Sequence, residues 1–430
     1  MKLIFDISVL AWSVRNPKAK TGIFRVIENH LKHLAKDPEI DLYLSSVNGH
    51  ITDFFEYIKT SNIELSKDRF LVPKKYSKAK DRFFVLYNWL SDKFEFSYSW
   101  NHLSFLVKLL QSIVRFVFQK IGIKSYLNPI PGSYLTNEFI FHSPYLPLPK
   151  FICESNVKKV ISIYDIISIK FPEFFQGNKD RVIIQNIRYL DNETSIITIS
   201  ENSKIDIAKE ASLFDPDRIF VVPLAAETFF FKTDEKNTEK AIQKYGLVYG
   251  KYILSVGTLE PRKNLKMSIR AFLEISRKGM DPELKYAVLG GKGWGDGFDD
   301  LKTEFSDCFK ERVRFLGFVR DEDLSFVYSG ALFFVYLSFY EGFGLPPLEA
   351  MQCGLPVLVS NTSSLPEVVG DAGILVDPRD QKRIQTEMQN LIANKKLRES
   401  LSRKSMQRAN SFSWEESTLA LKSVYKNILN

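Results

Sequence analysis

The segment Tyr340-Glu341-Gly342-Phe343-Gly344-Leu345-Pro346-Pro347-Leu348-Glu349-Ala350-Met351 follows closely on an apolar run, Leu332 to Leu337. Two glycines let the backbone approach a ligand, and Pro346 or Pro347 suits the first turn of a helix, whose unpaired N–H groups favour an anion. Glu341 falls in the loop and Glu349 within the helix, so the two carboxylates can face different parts of one ligand. The alternative is a plain strand-to-helix turn with solvated acids. A second cluster, Gly257-Thr258-Leu259-Glu260-Pro261-Arg262-Lys263-Asn264, follows the run Tyr252 to Val256. Adjacent Arg262 and Lys263 supply a bidentate fork and a point charge for a diphosphate. Here the alternative is a solvated basic loop that opens a helix.

Position matters more than charge, because open α/β sheets bind ligands outside the carboxyl ends of their strands. Short apolar runs recur along the chain, each followed by a turn and a longer helical pattern, which predicts an α/β fold of parallel sheets. The first-half strands are predicted at Lys2 to Ile7, Phe139 to His142, Lys159 to Tyr164, Ser195 to Ile199 and Arg218 to Val222. In the second half they are Tyr252 to Val256, Lys285 to Leu289, Arg312 to Leu316, Leu332 to Leu337, Pro356 to Val359 and Gly373 to Val376. Most are continuously apolar, as for strands covered on both faces. Two Rossmann-like domains are expected, at 1–230 and 231–410, with a linker and hinge in the polar stretch from Phe230 to Tyr245. Residues 411–430 form a final helix, expected to pack back on the first domain.

The 430 residues are 45% hydrophobic and 26% charged, enough for large cores. Met1 to Leu10 has no basic region or cleavage site of a signal peptide, which implies a cytoplasmic location. Cys153, Cys308 and Cys353 are too scattered for a disulfide framework or a metal site. The formal charge of +8 suits phosphate-bearing ligands or an anionic membrane as well as nucleic acid. Residues 97–137 contain no acid until past Asn137, while Lys108, Arg115, Lys120 and Lys124 interrupt apolar residues. This stretch reads as an amphipathic segment for domain packing or for peripheral contact with a membrane surface.

These residues together resemble glycosyltransferase family 4, the retaining enzymes of GT-B fold. The likeness rests on Ser255 to Asn264, Phe315-Leu316-Gly317-Phe318-Val319, and the pair Glu341 and Glu349. Leu365-Pro366-Glu367-Val368 and Leu375-Val376-Asp377-Pro378 complete it. Weaker matches in the first half are Thr21-Gly22-Ile23-Phe24-Arg25, Phe141-His142-Ser143-Pro144, Tyr164-Asp165, Ile199-Ser200-Glu201-Asn202-Ser203 and Val222-Pro223-Leu224. The pattern is similar to mannosyltransferases of bacterial surface-polysaccharide synthesis.

The resemblance implies a nucleotide-diphosphate sugar as donor, GDP-mannose ahead of UDP-sugars, and a glycan or lipid-linked glycan as acceptor, with no nucleic acid. It places Gly22, Thr258, Arg262 and Lys263 at the donor phosphates, and Gly342, Phe343, Gly344 and Leu345 around sugar and phosphate. It also puts Glu341 beside the transferred sugar, Glu349 on the ribose and Val319 at the base. His142 and Asp165 would line the acceptor side as catalytic residues. Many members have His where this chain has Tyr164, so that histidine's role does not transfer. Asp215-Pro216-Asp217 and Asp321-Glu322-Asp323 read as turn and cap residues, so neither a metal nor another cofactor is expected. A nucleotide-sugar epimerase, a sugar phosphorylase and an inactive scaffold of the same fold are the rival readings. Gly290-Gly291-Lys292-Gly293-Trp294-Gly295 lacks the spacing of a dinucleotide fingerprint.

Overall fold

A computed structural model describes residues 1–16, 22–47, 50–86, 116, 124–175, 181–188, 190–279, 281–291 and 297–430. Thr21, Lys108, Arg115, Lys120 and the Lys292-to-Gly295 part of the glycine run lie outside them, as does most of the acid-free segment.

Apolar runs that are buried on both faces become central strands here. The first sheet holds β1 (Lys2–Asp6), β2 (Asp41–Ser45), β3 (Phe70–Leu71), β4 (Phe139–Ser143), β5 (Lys158–Ser162), β6 (Ser195–Thr198) and β7 (Ile219–Val221). Its order is β3-β2-β1-β4-β5-β6-β7, and every neighbouring pair is parallel. The second holds β8 (Tyr252–Val256), β9 (Lys285–Leu289), β10 (Val313–Gly317), β11 (Phe333–Tyr336), β12 (Val357–Ser360) and β13 (Ile374–Val376), ordered β10-β9-β8-β11-β12-β13, again parallel. Sequence reading misses β2 and β3. In β2, Asp41 and Tyr43 are half-buried, which breaks the apolar run, and β3 is two residues long at the sheet edge. In both sheets the strand order reverses beside the first strand, at β1/β4 and β8/β11, which is where such folds open a ligand crevice.

The chain leaves the first sheet at Val221. Past it, Phe231 N and Thr233 N donate to Ser325 and Ser329 of the helix Asp321–Ser329, and the helix Glu235–Ile242 packs on that same helix. The stretch read as linker therefore carries a helix belonging to the second unit. One apolar cluster joins the units, with Val26, Ile199, Leu224 and Phe230 packed among Leu348, Met351 and Trp414.

The final helix, Trp414–Leu429, starts at Ser413, whose hydroxyl accepts from Glu416 N. Its Leu421, Val424 and Tyr425 enter the core of the first unit. Polar contacts fix it there: Lys422 meets Asp37 at 2.6 Å, and Ser417 Oγ lies 2.9 Å from His30 Nε2. Among the described residues no helix is long and apolar enough to cross a membrane.

Candidate active site

The loop after β8 delivers the basic pair. Gly257 passes so close to Gly290, at the end of β9, that a side chain at Gly290 would collide with the Gly257 carbonyl. A single 3-10 turn, Pro261–Lys263, then presents both cations, and Asn264 leaves it in a left-handed conformation (φ 52°). Asn264 holds that conformation by donating from Nδ2 to Pro378 O at 2.9 Å.

Both cations converge on Glu341 in the loop after β11. Arg262 Nη1 lies 2.8 Å from Glu341 Oε1 and donates to Tyr340 O at 2.6 Å. Lys263 Nζ donates to Glu341 Oε1 at 2.8 Å and to Tyr336 OH at 2.7 Å, while Tyr336 OH donates to the same carboxylate oxygen. Burial alone would raise the Glu341 carboxyl, but Lys263 and Arg262 outweigh it and hold it down to about 2. Among the described residues the buried Arg262 Nε has no hydrogen-bond partner, so the fork keeps one unused donor.

Glu349 stands on the helix Leu345–Gln352 in different surroundings. Its carboxylate accepts from Tyr328 OH at 2.7 Å, and burial pushes its carboxyl up to about 7. Arg25, Glu227 and Asp321 are close enough to act on it electrostatically. Arg25 comes from the first unit, on the helix Gly22–Leu34, and grips Asp321 through both carboxylate oxygens at 2.9 and 3.1 Å. Val319 is buried nearby, in the same apolar cluster as Leu348.

The first unit closes on this loop from the ends of its own strands. Asp165, following β5, lies so near Gly342 that a Cβ there would come within 2.6 Å of its Oδ2. Ser200 and Ser203, following β6, donate to Gly342 O at 2.7 and 3.2 Å. Glu367 of the second unit accepts from Glu201 N and Asn202 N, each at 2.8 Å. Gly22 faces Leu345, with 3.8 Å between its built Cβ and Leu345 Cδ1. Thr258 is exposed and donates to Glu260 at 2.6 Å.

The structure thus brings Arg262, Lys263, Glu341, Gly342 and Asp165 together, with Gly22, Phe343, Gly344 and Leu345 at the same seam and Glu349 and Val319 toward β10. His142 is a correction. It is 1% exposed, with Nδ1 2.6 Å from Tyr425 OH and Nε2 2.9 Å from Ser162 Oγ, and burial lowers it to about 3. Both ring nitrogens of a neutral imidazole are thereby used up, Nδ1 on Tyr425 of the final helix and Nε2 on Ser162 of β5, with none left for an acceptor. Asp321 and Asp323 also differ from the expectation of a cap: they occupy the helix's first turn, where Arg25 pairs with Asp321 and Lys244 with Asp323.

Residues 237–408 match the family described as glycosyl transferases group 1. Over 293 residues, 67% of this chain and 74% of the relative, the sequence is 35% identical to O-antigen chain mannosyltransferase B of Escherichia coli. The chain belongs to the group 1 glycosyltransferases. It is also 28% identical over 264 residues to the serotype-specific mannosyltransferase WbdA of Escherichia coli, which is 60% of this chain but only 32% of that protein. Among solved structures, sucrose-phosphate synthase from Thermosynechococcus elongatus superposes with a TM-score of 0.64 at 19% identity, covering 99% of both chains, which shows the GT-B fold. In this group 1 glycosyltransferase, sequence reading alone assigns no role to Tyr336, Arg25, Ser200, Ser203 or Glu367. Each lies in or beside a family motif or an apolar run, but acts through a partner on a distant segment.

Proposed function

We propose that this glycosyltransferase moves a mannosyl group from GDP-mannose to a glycan or lipid-linked glycan acceptor, with retention of anomeric configuration. The observation that carries this reading is the Arg262–Lys263 pair converging on one ionised glutamate at the seam between the units. Two cations there offset the charge that grows on a diphosphate as its bond to the sugar breaks. Arg262, with an unused Nε–H, retains donor capacity for a phosphate oxygen. Glu341 is the carboxylate beside the transferred sugar, and the backbone from Gly342 to Leu345 borders sugar and phosphate. Asp165 lines the acceptor side. When leaving phosphate and acceptor hydroxyl share one face of the sugar, the phosphate takes the acceptor's proton, so positioning and charge do most of the work. Arg262 and Lys263 fill the charge-neutralising role, and the reaction proceeds without a resident metal.

The two mannosyltransferase relatives favour a mannosyl donor. Glu349 would accept from the ribose hydroxyls. Location in the cytoplasm, with peripheral contact on an anionic leaflet through 97–137, completes the proposal. Screening nucleotide release across GDP- and UDP-sugars with purified protein, with EDTA and an NMR assay of product anomer, tests it. Preference for a UDP-sugar, an inverted product, or loss with EDTA and rescue by manganese would each overturn the corresponding part.

A further inference from the structure

Three successive carbonyls of the donor-side loop are tied by serine hydroxyls, and the middle tie crosses between the units. Ser364 Oγ, from the second unit itself, lies 2.9 Å from Glu341 O and 2.6 Å from Phe343 O. Gly342 O, between them, is held by Ser200 and Ser203 of the first unit. Both of these hydroxyls are buried, at 2% and 0% exposure. Ser200 Oγ also accepts from Ser203 N at 3.0 Å, capping the helix Glu201–Glu210, so a lone pair serves the cap while its one hydroxyl proton faces Gly342 O at 2.7 Å, nearer than Ser203 Oγ at 3.0 Å.

The need for this tie follows from the contact with Asp165. Only glycine fits at Gly342, because a Cβ would meet Asp165 Oδ2. The residue that permits the approach also permits its peptide plane to turn, and Gly344 on the other side of Phe343 adds the same freedom. No peptide bond in the described chain is cis, so Gly342 C=O and Phe343 N–H point opposite ways across one plane. Whatever fixes the carbonyl therefore fixes the direction of the amide. The serines do not approach alone: Glu367 of the second unit grips the amides of Glu201 and Asn202, beside Ser200.

We propose that Ser200 and Ser203 are positioning residues for sugar transfer, which set the Gly342–Phe343 peptide only when the first unit is closed on the second. This rests on the reading that the Gly342-to-Leu345 backbone holds the donor. Domain closure then does more than exclude water, since it completes the donor-side loop itself.

The test uses the full-length protein with two readouts: steady-state transfer, and hydrogen exchange of the Phe343 and Gly344 amides. Ser200→Gly/Ser203→Ala removes both hydroxyls while glycine stays acceptable at the cap. We expect faster exchange at those two amides with β8 and β11 unchanged, and kcat lowered about tenfold or more, as a buried carbonyl loses its donors. Ser200→Thr, which keeps a hydroxyl and the cap, should restore most of the loss. Unchanged exchange overturns the proposal whatever the turnover, and so does faster exchange with kcat within about twofold of wild type. A wild-type protein that transfers from no nucleotide sugar would refute the functional reading, while exchange would still decide whether these serines set the peptide.

Discussion

Glu341 and Glu349 lie in one strand-loop-helix segment, with seven residues between them, yet their surroundings drive them apart. Around Glu341 the chain gathers Arg262, Lys263 and Tyr336, and the carboxyl is held at about 2. Around Glu349 it offers a tyrosine hydroxyl and apolar packing, and the carboxyl rises to about 7. The two regions divide the work: one is a charge cluster suited to a reacting diphosphate, and the other a poorly solvated acceptor suited to binding. Two carboxylates with separated titrations mark separate roles.

The hardest blow to this comparison is a change in the charge cluster. Glu341→Gln keeps the shape but leaves Arg262 and Lys263 buried without their counter-charge, and we expect a loss of about 3 kcal/mol in stability and about 100-fold or more in kcat. Lys263→Ala should weaken donor affinity and slow turnover together, by a combined factor of about 100 in kcat/KM. Donor affinity and turnover both unchanged in Lys263→Ala would place the phosphates elsewhere.

At the other glutamate the effect is smaller and different in kind. Glu349→Gln should raise the donor KM about tenfold with kcat nearly intact, because a ribose contact is present in ground and transition states alike. The wild-type donor KM should also worsen as pH falls through about 7, where Glu349 takes up its proton, and the Gln variant should lack that dependence. A large fall in kcat at constant KM would remove Glu349 from the binding role.

Stability against pH sharpens the contrast, since the two signs are opposite. The folded pKa of Glu349 is raised, so its ionisation costs the fold nothing below the unfolded carboxylate value and progressively more up to about pH 7. Glu349→Gln should therefore stabilise the protein at pH 8, by about 1–3 kcal/mol, and hardly at all near pH 4. The folded pKa of Glu341 is depressed, so its contribution is present above the unfolded value and disappears as pH falls toward 2. Chemical denaturation of wild type and both Gln variants at pH 4 and pH 8 measures this, and equal shifts at both values would contradict it.

The smallest catalytic effect is expected at His142. His142→Phe should leave kcat within about twofold while costing about 1–3 kcal/mol, because Ser162 and Tyr425 each lose a buried partner. A selective loss of turnover would return His142 to the reaction.

The second unit was the more legible half. Its chemistry lies in short motifs directly after β8, β10 and β11, where residue type and strand-end position already confine a side chain to the crevice. The first unit contributes single residues, such as Asp165, Ser200 and Arg25, whose neighbours in sequence say little about what they will meet. His142 shows the limit most clearly: a histidine near a strand end reads the same whether its face opens to a cleft or is covered. Here the cover is Tyr425, which lies 283 residues further along the chain.

By itself, the sequence determined two parallel sheets, because continuous apolar runs separated by helical patterns must be buried on both faces. It also determined a basic pair and Glu341 in loops after strands of one sheet, with Glu349 on the helix that follows, since those positions follow from local spacing. Tertiary structure decided which charges meet, which carboxylate is ionised, and which serines reach Gly342. Those outcomes depend on burial and on partners across the seam, and electrostatic and hydrogen-bond energies change steeply over distances that no local pattern specifies.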